Sequence, residues 1–272
     1  MNLFLRVLGR RDDGYHQVET AVLPVSLTDR LEVHAVSDPS FRTLSLALEI
    51  TGDPSLVRVV PADESNLVLR AADALARRVD ATGFADVLLE KRIPVAAGLG
   101  GGSADAAATL LALNDLWGSG LSDEDLRAVG TEVGSDVPAL LSGGPALARG
   151  RGERVEPLGL PRMRWVLVTF PFGVSTRDAY RWWDEDESRT GNDPRDLLDA
   201  ARDGDVDEVG PLLFNDLEPG VVRHHAEIAE AKRRLLDAGA AGTVLCGSGP
   251  TVAGLVPPGT DVAVPGGIEV ES

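Results

Sequence analysis

The chain has 272 residues, of which 43% are hydrophobic and 25% are charged, proportions that are typical of a folded globular protein. Its formal net charge of −17 argues against general binding to nucleic acids or to anionic membranes. The N-terminus has no signal-peptide pattern and no apolar run is long enough to span a bilayer, so a cytoplasmic protein is expected. Cys246 is the single cysteine, which excludes an internal disulfide and a zinc-type cysteine cluster.

The first half of the chain predicts strands followed by helices. Strands are expected over residues 1–9, 18–25, 30–36, 44–50 and 87–93. Helices are expected over residues 66–79, with Asn66 as the N-cap, over residues 104–117, and after Ser122, which forms a capping pair with Asp125.

The second half begins after Gly143-Gly144-Pro145 and a ribbon over residues 146–157. It predicts a strand at 165–170, a helix at 175–183, two acidic helices within 195–213, a helix at 221–238, and strands near 243–245 and 252–255. This order predicts an α+β protein of two domains, residues 1–155 and 156–272.

Four glycines and a serine lie between the strand that ends near Ile93 and the next helix, in the run Pro94-Val95-Ala96-Ala97-Gly98-Leu99-Gly100-Gly101-Gly102-Ser103-Ala104. Glycines let the backbone turn sharply, and the free N–H groups at a helix start attract anions, so the loop indicates a polyphosphate site. An alternative is that Ser103 is an ordinary N-cap that needs no ligand. The spacing excludes a Walker A loop and a dinucleotide fingerprint, and no protein-kinase motif is present.

Three other segments each allow a structural and a functional interpretation. Asp136, in Gly134-Ser135-Asp136-Val137-Pro138, either caps a helix or serves as the carboxylate beside a reacting hydroxyl. Tyr15-His16 is either packing or a nucleobase site with a stacking face and an edge. Gly247-Ser248-Gly249-Pro250-Thr251 predicts a hairpin between two strands, and its functional interpretation depends on a family resemblance.

The order Pro-x3-Gly-Leu-Gly-Gly-Gly-Ser-x-x-Ala-Ala resembles the phosphate loop of the GHMP kinases. The resemblance runs from Asn2 to about Leu255. Within it, Gly14-Tyr15-His16 resembles a sequence element of the branch that phosphorylates 4-diphosphocytidyl-2-C-methyl-D-erythritol in non-mevalonate isoprenoid biosynthesis. Other matching segments are Asn2–Leu5, Gly9–His16, Glu64–Leu67, Lys91–Ala107, Phe214–Pro219 and Gly247–Thr251. The resemblance implies a ribosomal protein S5 domain 2-like N-terminal domain and a ferredoxin-like C-terminal domain. It also implies that Gly247–Thr251 is a loop that reaches over the active site from the C-terminal domain.

The resemblance also implies ATP and Mg²⁺ as cofactors and a small-molecule substrate. The composition fits a monomer and a weak homodimer equally. The implied catalytic residue is Asp136. The implied nucleotide-binding residues are Asn66, Pro94, Gly98, Leu99, Gly100, Gly101, Gly102, Ser103 and Ala104, with Ser103 also a metal ligand. The implied substrate-binding residues are Asn2, Tyr15 and His16, together with a second aromatic residue that counting places at Trp182, with Tyr180 as the alternative.

One departure from the family pattern concerns the N-terminus. The family has a lysine two residues before the asparagine that matches Asn2, and the given chain begins one residue after that position. Such a lysine would stabilise charge on the reacting oxygen and phosphate. The expectation is that coding sequence upstream of Met1 supplies it. The alternatives are another GHMP kinase, of homoserine or mevalonate type, or a catalytically impaired nucleotide-binding homologue.

Overall fold

A computed structural model describes residues 1–186 and 192–272 of the chain, and these residues form a mixed α+β architecture. The strands are β1 (Asn2–Arg10), β2 (His16–Val22), β3 (Arg30–Ser37), β4 (Leu44–Gly52), β5 (Gly83–Lys91), β6 (Ala146–Gly150), β7 (Arg154–Pro157), β8 (Arg164–Val168), β9 (Phe214–Asn215), β10 (Gly242–Leu245), β11 (Val252–Val256) and β12 (Gly267–Glu271). The helices are α1 (Pro54–Val57), α2 (Leu67–Val79), α3 (Gly101–Leu116), α4 (Asp123–Val133), α5 (Val137–Leu140), α6 (Thr176–Asp184), α7 (Arg195–Asp203), α8 (Val206–Leu212), α9 (Glu218–His224) and α10 (Ala226–Asp237).

The first sheet has the strand order β7-β6-β2-β1-β9 and joins the two halves of the chain. Strand β1 pairs antiparallel with β2, while the short β9 comes from the second half and pairs in parallel with β1. The rings of Phe4 and Phe214 stack across this junction with centroids 5.3 Å apart. A two-residue strand has too short a pattern to be recognised in sequence, so β9 was not predicted. The division of the chain at residue 155 stays a prediction, and β7 spans that position.

Strand β1 divides its side chains between two cores because successive residues of a strand point to opposite faces. Phe4 packs in a core that includes Trp165, whereas its neighbour Leu5 packs in another that includes Val166. Trp165 and Val166 both belong to β8, in the second half of the chain. The two halves therefore share buried apolar surface, which brings loops of the second half against the glycine loop.

The second half builds a four-stranded antiparallel sheet in the order β10-β11-β8-β12. Counted from β8, this order is 2-3-1-4, which is the arrangement of a ferredoxin-like domain. The predicted two-domain fold is confirmed in this respect. The helix predicted over 221–238 is wrong as one element, because α9 and α10 meet at His225, whose φ of −137° is not helical.

The third sheet, in the order β3-β5-β4, supports the helix that follows the glycine loop. The stripe Ala106, Leu110 and Leu113 of α3 is buried in a core that also contains residues of α2 and α4. The predicted N-caps Asn66 and Ser122 are confirmed, since each side chain accepts a backbone N–H of the helix that it begins. In the described parts of the chain, no helix combines the length and apolar character needed to cross a membrane.

Candidate active site

The glycine loop leads directly into α3, which begins three residues earlier than the sequence predicts. Gly98 has a φ of +75° and Gly100 a φ of +69°, values that favour glycine. Gly100 is the N-cap of α3 and provides no side-chain cap. The alternative in which Ser103 caps the helix is therefore excluded, since Ser103 lies within the first turn. The N–H groups of this first turn have no partner within the helix, so they are free to bind an anion.

A cleft of about 520 Å³ opens in front of this helix end. This volume lies within the range of small-molecule sites. Its lining includes these predicted residues: Asn66, Pro94, Gly98, Leu99, Gly100, Gly101, Gly102, Ser103 and Asp136. Ala104 is outside the lining, and its N–H donates to the Gly100 carbonyl at 2.9 Å. The fold thus gathers the predicted nucleotide residues, apart from Ala104, around one cleft that also contains the predicted catalytic aspartate.

Asn66 lines this cleft, and its side chain has a structural role. Its Oδ1 accepts the Val68 N–H at 2.9 Å, and its Nδ2 donates to the Pro61 carbonyl at 2.7 Å. Only 7% of the residue is exposed. Both polar ends of the side chain are therefore used within the protein, and a role close to a bound base stays a prediction.

The second glycine turn, residues 247–251, packs against the glycine loop from the other half of the chain. The Thr251 N–H donates to the Ala97 carbonyl at 3.3 Å. Asn215 holds the start of this turn by donating from Nδ2 to the carbonyls of Leu245 and Gly247, at 2.8 and 2.7 Å. The turn thus lies against the cleft, as the interpretation of residues 247–251 as a loop over an active site requires. Ser248 lines the cleft.

Asp136 stands at the N-cap position of α5, but its side chain makes no capping hydrogen bond there. The side chain is open to the cleft, whereas the protein around the cleft still desolvates the carboxyl. Desolvation raises the pKa of Asp136, and the positive charge of the Met1 amino group opposes the rise. A carboxylate with no structural hydrogen bond at the helix start is available to accept a proton or to orient a hydroxyl.

Asn2 lies at the start of β1, next to the residue whose amino group influences Asp136. Its Nδ2 donates to Thr20 Oγ1 at 2.9 Å, and Thr20 in turn donates to the Phe4 carbonyl. The pairing of β1 with β2 therefore fixes the Asn2 amide at the start of β1, and Asn2 is outside the lining of the cleft. Its contact with a substrate stays a prediction.

A buried ion network lies behind the glycine loop, and the sequence did not predict it. The Lys91 ammonium pairs with Asp29 and, at 3.1 Å, with Asp105. The three side chains are each 5% exposed or less. Asp29 also accepts the N–H groups of Arg92 and Ile93, at 2.6 and 2.9 Å.

Burial raises the pKa of Asp105 to about 7, against the attraction of Lys91. The Lys91 amino nitrogen would lie 3.3 Å from a Cβ on Gly101, so the network directly supports the first turn of α3. Asp29 is 62 residues from Lys91 along the chain, and patterns among neighbouring residues do not predict a contact over such a distance in sequence.

A second pocket, of about 610 Å³, adjoins the first and contains Tyr15, His16 and Tyr180. The ring of Tyr180 stacks on His16 with centroids 4.5 Å apart and an interplanar angle of 21°. The Arg151 guanidinium lies 3.8 Å from the centre of the Tyr15 ring and covers one face of it. Tyr15 and His16 come from the first half of the chain and Tyr180 from the second, and their contact with a nucleobase stays a prediction.

Trp182 is not part of the lining of this second pocket. Its ring stacks on His224 with centroids 4.0 Å apart. Residues two apart on a helix do not face the same side, so α6 directs Tyr180 toward His16 and Trp182 toward α9. Counting along the sequence favoured Trp182, whereas the geometry favours the alternative, Tyr180.

The two pockets meet at α6. Thr176, the first residue of α6, lines both pockets, and its hydroxyl lies 3.2 Å from that of Ser248. Burial, followed by the charge of Asp136, raises the pKa of Tyr180, so the aromatic pocket lies within electrostatic reach of the Asp136 carboxylate. A molecule with an aromatic base at one end and a hydroxyl at the other could occupy both pockets at once.

The donors available for a metal are hard oxygens. Ser103 lines the cleft together with Asp136 and Asp105, although Asp105 is already paired with Lys91. Over residues 1–186 and 192–272, the structure contains no group of three or more His, Cys, Asp or Glu side chains suited to hold a metal ion. This donor set fits Mg²⁺, which commonly keeps waters and binds through substrate phosphates with few protein ligands.

Comparison with known proteins identifies both halves of the chain. Residues 66–144 match the family of GHMP kinase N-terminal domains, and residues 197–264 match the family of GHMP kinase C-terminal domains. The chain is 45% identical over 256 residues to 4-diphosphocytidyl-2-C-methyl-D-erythritol kinase of Pelotomaculum thermopropionicum, covering 94% of this chain and 86% of the relative. It is 43% identical over 263 residues to the kinase of the same name from Moorella thermoacetica, covering 95% and 88%.

Comparison with solved structures leads to the same family. A crystal structure of 4-(cytidine 5'-diphospho)-2C-methyl-D-erythritol kinase is 36% identical, with a TM-score of 0.76 and coverage of 94% of this chain and 87% of that one. A homoserine kinase from Cytophaga hutchinsonii has a TM-score of 0.68 at 20% identity, with coverage of 88% and 79%, and shows the shared fold alone. By its domain matches, its relatives and its fold, the chain belongs to the GHMP kinases and, among them, to the 4-diphosphocytidyl-2-C-methyl-D-erythritol kinase family.

Proposed function

We propose that this chain transfers the γ-phosphoryl group of ATP to the 2-hydroxyl of 4-diphosphocytidyl-2-C-methyl-D-erythritol, a step of non-mevalonate isoprenoid precursor biosynthesis. The observation that carries the proposal is the shared cleft of the glycine loop and Asp136, which adjoins an aromatic pocket formed by Tyr15, His16 and Tyr180. Membership in the kinase family supports the same substrate.

The glycine loop would hold the ATP phosphates. The unpaired N–H groups of the first turn of α3 and the positive end of its dipole favour the binding of an anion there. Phosphoryl transfer depends mainly on positioning and on stabilisation of charge, so a rigid loop is more useful than a mobile one. The packing of residues 247–251 against the loop and the buried network of Lys91 both favour such rigidity.

Asp136 would act on the acceptor hydroxyl. Its raised pKa makes the carboxylate a better proton acceptor than an ordinary aspartate. In a loose transition state the hydroxyl loses its proton late, so orienting the oxygen toward the γ-phosphorus is as important as removing the proton. Asn2, fixed by Thr20, would contact the sugar alcohol nearby.

The aromatic pocket would hold the cytosine. Tyr15 and Tyr180 offer faces for stacking, and His16 offers an edge with hydrogen-bonding nitrogens. Arg10 and Arg177 also line this pocket, and neither forms an ion pair with any residue that the structure describes. Two such cations beside the base suit a diphosphate, and they resolve locally the conflict between an anionic substrate and a chain of net charge −17.

Ser103 is the proposed protein ligand for Mg²⁺ because its hydroxyl lines the phosphate cleft at the first turn of α3. When bound, Mg²⁺ neutralises charge on the transferring phosphates. The protein contribution is then to hold one oxygen donor beside a loop of backbone N–H groups.

A coupled assay of ADP formation with the purified chain tests the proposal. Turnover is expected to require 4-diphosphocytidyl-2-C-methyl-D-erythritol, and the Asp136→Ala variant is expected to lose turnover while it still binds ATP. The assay is run on the given chain and on a version extended by the residues encoded upstream of Met1. Phosphorylation of homoserine or mevalonate alone would assign a different kinase activity. ATP binding without transfer in both versions would indicate an impaired homologue.

A further inference from the structure

A contact between the two halves of the chain fixes the histidine of the aromatic pocket. His16 Nε2 lies 2.9 Å from Asp184 Oδ1, and the two residues are 168 positions apart. The His16 side chain is 9% exposed, and that of Asp184 is 32% exposed. Tyr180 covers a face of the imidazole at 4.5 Å, and Trp183 meets it edge-on at 5.6 Å. The C-terminal half of α6 therefore holds His16 through three residues, Tyr180, Trp183 and Asp184.

The chemistry of this contact determines where the imidazole carries its proton. An ionised carboxylate can only accept hydrogen bonds, so the nitrogen that faces Asp184 must carry a hydrogen. In a neutral imidazole with a hydrogen on Nε2, the other nitrogen, Nδ1, is an acceptor. Among the described residues, His16 Nδ1 has no hydrogen-bond partner. The acceptor therefore remains available to a ligand.

The position of Asp184 is unusual for an acidic residue. Asp184 is the last residue of α6, where the negative end of the helix dipole disfavours a carboxylate. Its interaction with a hydrogen-bond donor offsets this cost. The same physical rule applies at metal sites, where a carboxylate on one histidine nitrogen sets the hydrogen-bonding state of the other.

We propose that Asp184 is a positioning residue that makes the pocket select a base with an exocyclic amino group, cytosine over uracil, by keeping His16 Nδ1 as an acceptor. The proposal rests on the proposed function, which places the base in this pocket. The 4-amino group of cytosine donates to such an acceptor, whereas O4 of uracil would face it lone pair against lone pair. A polar group left unpaired in an enclosed site is expected to reduce affinity by about tenfold or more.

The decisive variant is Asp184→Asn, which preserves the size of the side chain. An amide presents both an acceptor and a donor, so it no longer forces the hydrogen onto Nε2. Glu185→Gln is the matched control, since it removes the neighbouring carboxylate, whose contact is with Arg181 at 3.8 Å. Kinetics are measured with the cytidine substrate and with its uridine counterpart. Binding of CDP and UDP is measured by calorimetry, which does not depend on turnover.

The parent is expected to prefer the cytidine compounds. In Asp184→Asn, the KM for the cytidine substrate should rise about tenfold with kcat within about twofold, and the preference over uridine should fall by a similar factor. Glu185→Gln should match the parent, and Asp184→Glu should restore part of the preference. An unchanged preference in Asp184→Asn would overturn the proposal and leave the proposed function intact.

Nitrogen-15 NMR of the free protein gives a readout that needs neither activity nor a stable variant. The expected spectrum of His16 at neutral pH shows a hydrogen on Nε2 and none on Nδ1. A hydrogen on Nδ1, in either a neutral or a doubly protonated ring, would overturn the proposal. Failure of the proposed function would look different, because the parent would then phosphorylate neither nucleotide substrate whatever the state of His16.

Discussion

The Cys246 carbonyl oxygen occupies the place that a Cβ on Gly98 would need, 2.0 Å from the ideal Cβ position. The Gly249 nitrogen would be 2.9 Å from the same Cβ position. The two glycine turns, one from each half of the chain, therefore approach one another backbone to backbone. This contact sets the shape of the cleft at the glycine loop, and it depends on the absence of a side chain at residue 98.

The Gly98→Ala variant tests this contact. The added methyl group overlaps backbone atoms, and the φ of +75° costs about 1–2 kcal/mol for a residue with a Cβ. We expect a lower melting temperature and ATP binding weakened by tenfold or more. Gly159→Ala is the control, since a Cβ there meets nothing within 4 Å. Calorimetry and thermal unfolding measure both effects, and ATP affinity equal to that of the parent would contradict the expected packing.

The Asp136→Asn variant tests the proposed catalytic role of the Asp136 carboxylate. Loss of a group that accepts or orients the hydroxyl proton is expected to lower kcat by about 10²–10⁴-fold. ATP affinity should change little, because the N–H groups that would hold the phosphates remain. A kcat near that of the parent would remove Asp136 from the mechanism.

The same variant is expected to be more stable than the parent at neutral pH. Desolvation raises the pKa of Asp136 in the folded state, so ionisation favours the unfolded chain. The advantage of Asp136→Asn should therefore be absent in acid, where both states are protonated, and should appear as the pH rises above the ordinary pKa of aspartate. Thermal unfolding across pH measures it, and a difference that shrinks with rising pH would contradict the stated cause.

Asp105→Asn gives a second pH-dependent prediction, for the network behind the glycine loop. Burial raises the pKa of Asp105 from an ordinary 3.8 to about 7, so the parent loses stability as the pH rises between these values. The stability of Asp105→Asn relative to the parent should therefore grow from pH 4 to pH 7 and then level off. Denaturant unfolding measures it, with Asp115→Asn, exposed on the same helix, as the control without such growth.

Tyr180 and Trp182 can be separated by substitution. Stacking of a base on an aromatic ring contributes about 1–3 kcal/mol, so Tyr180→Leu is expected to raise the KM for the cytidine substrate about tenfold. Tyr180→Phe should retain most of the affinity. Trp182→Leu should lower stability, because its ring stacks on His224, and should leave this KM nearly unchanged. A higher KM in Trp182→Leu than in Tyr180→Leu would restore the assignment made by counting along the sequence.

Arg10 and Arg177 provide a prediction about ionic strength. If they meet the diphosphate, Arg10→Gln and Arg177→Gln should each raise the KM by roughly two- to fivefold and reduce its dependence on salt, since exposed charges are screened. Arg202→Gln is the control, because Arg202 pairs with Asp199 on α7. Initial rates at low and high salt measure the effect. Equal salt dependence in the parent and both variants would contradict a diphosphate at this place.

Local patterns determined the elements and motifs of this protein. The caps at Asn66 and Ser122, the apolar stripe of α3 and the glycine loop all depend on residues within one or two turns of each other, so they are legible in the order of residues. Tertiary structure decided which distant groups meet. The pairing of Lys91 with Asp29, the approach of Cys246 to Gly98, and the contact of Asp184 with His16 each join segments far apart in the chain. Such contacts depend on how strands and helices pack in three dimensions, which the spacing of residues along one segment does not encode.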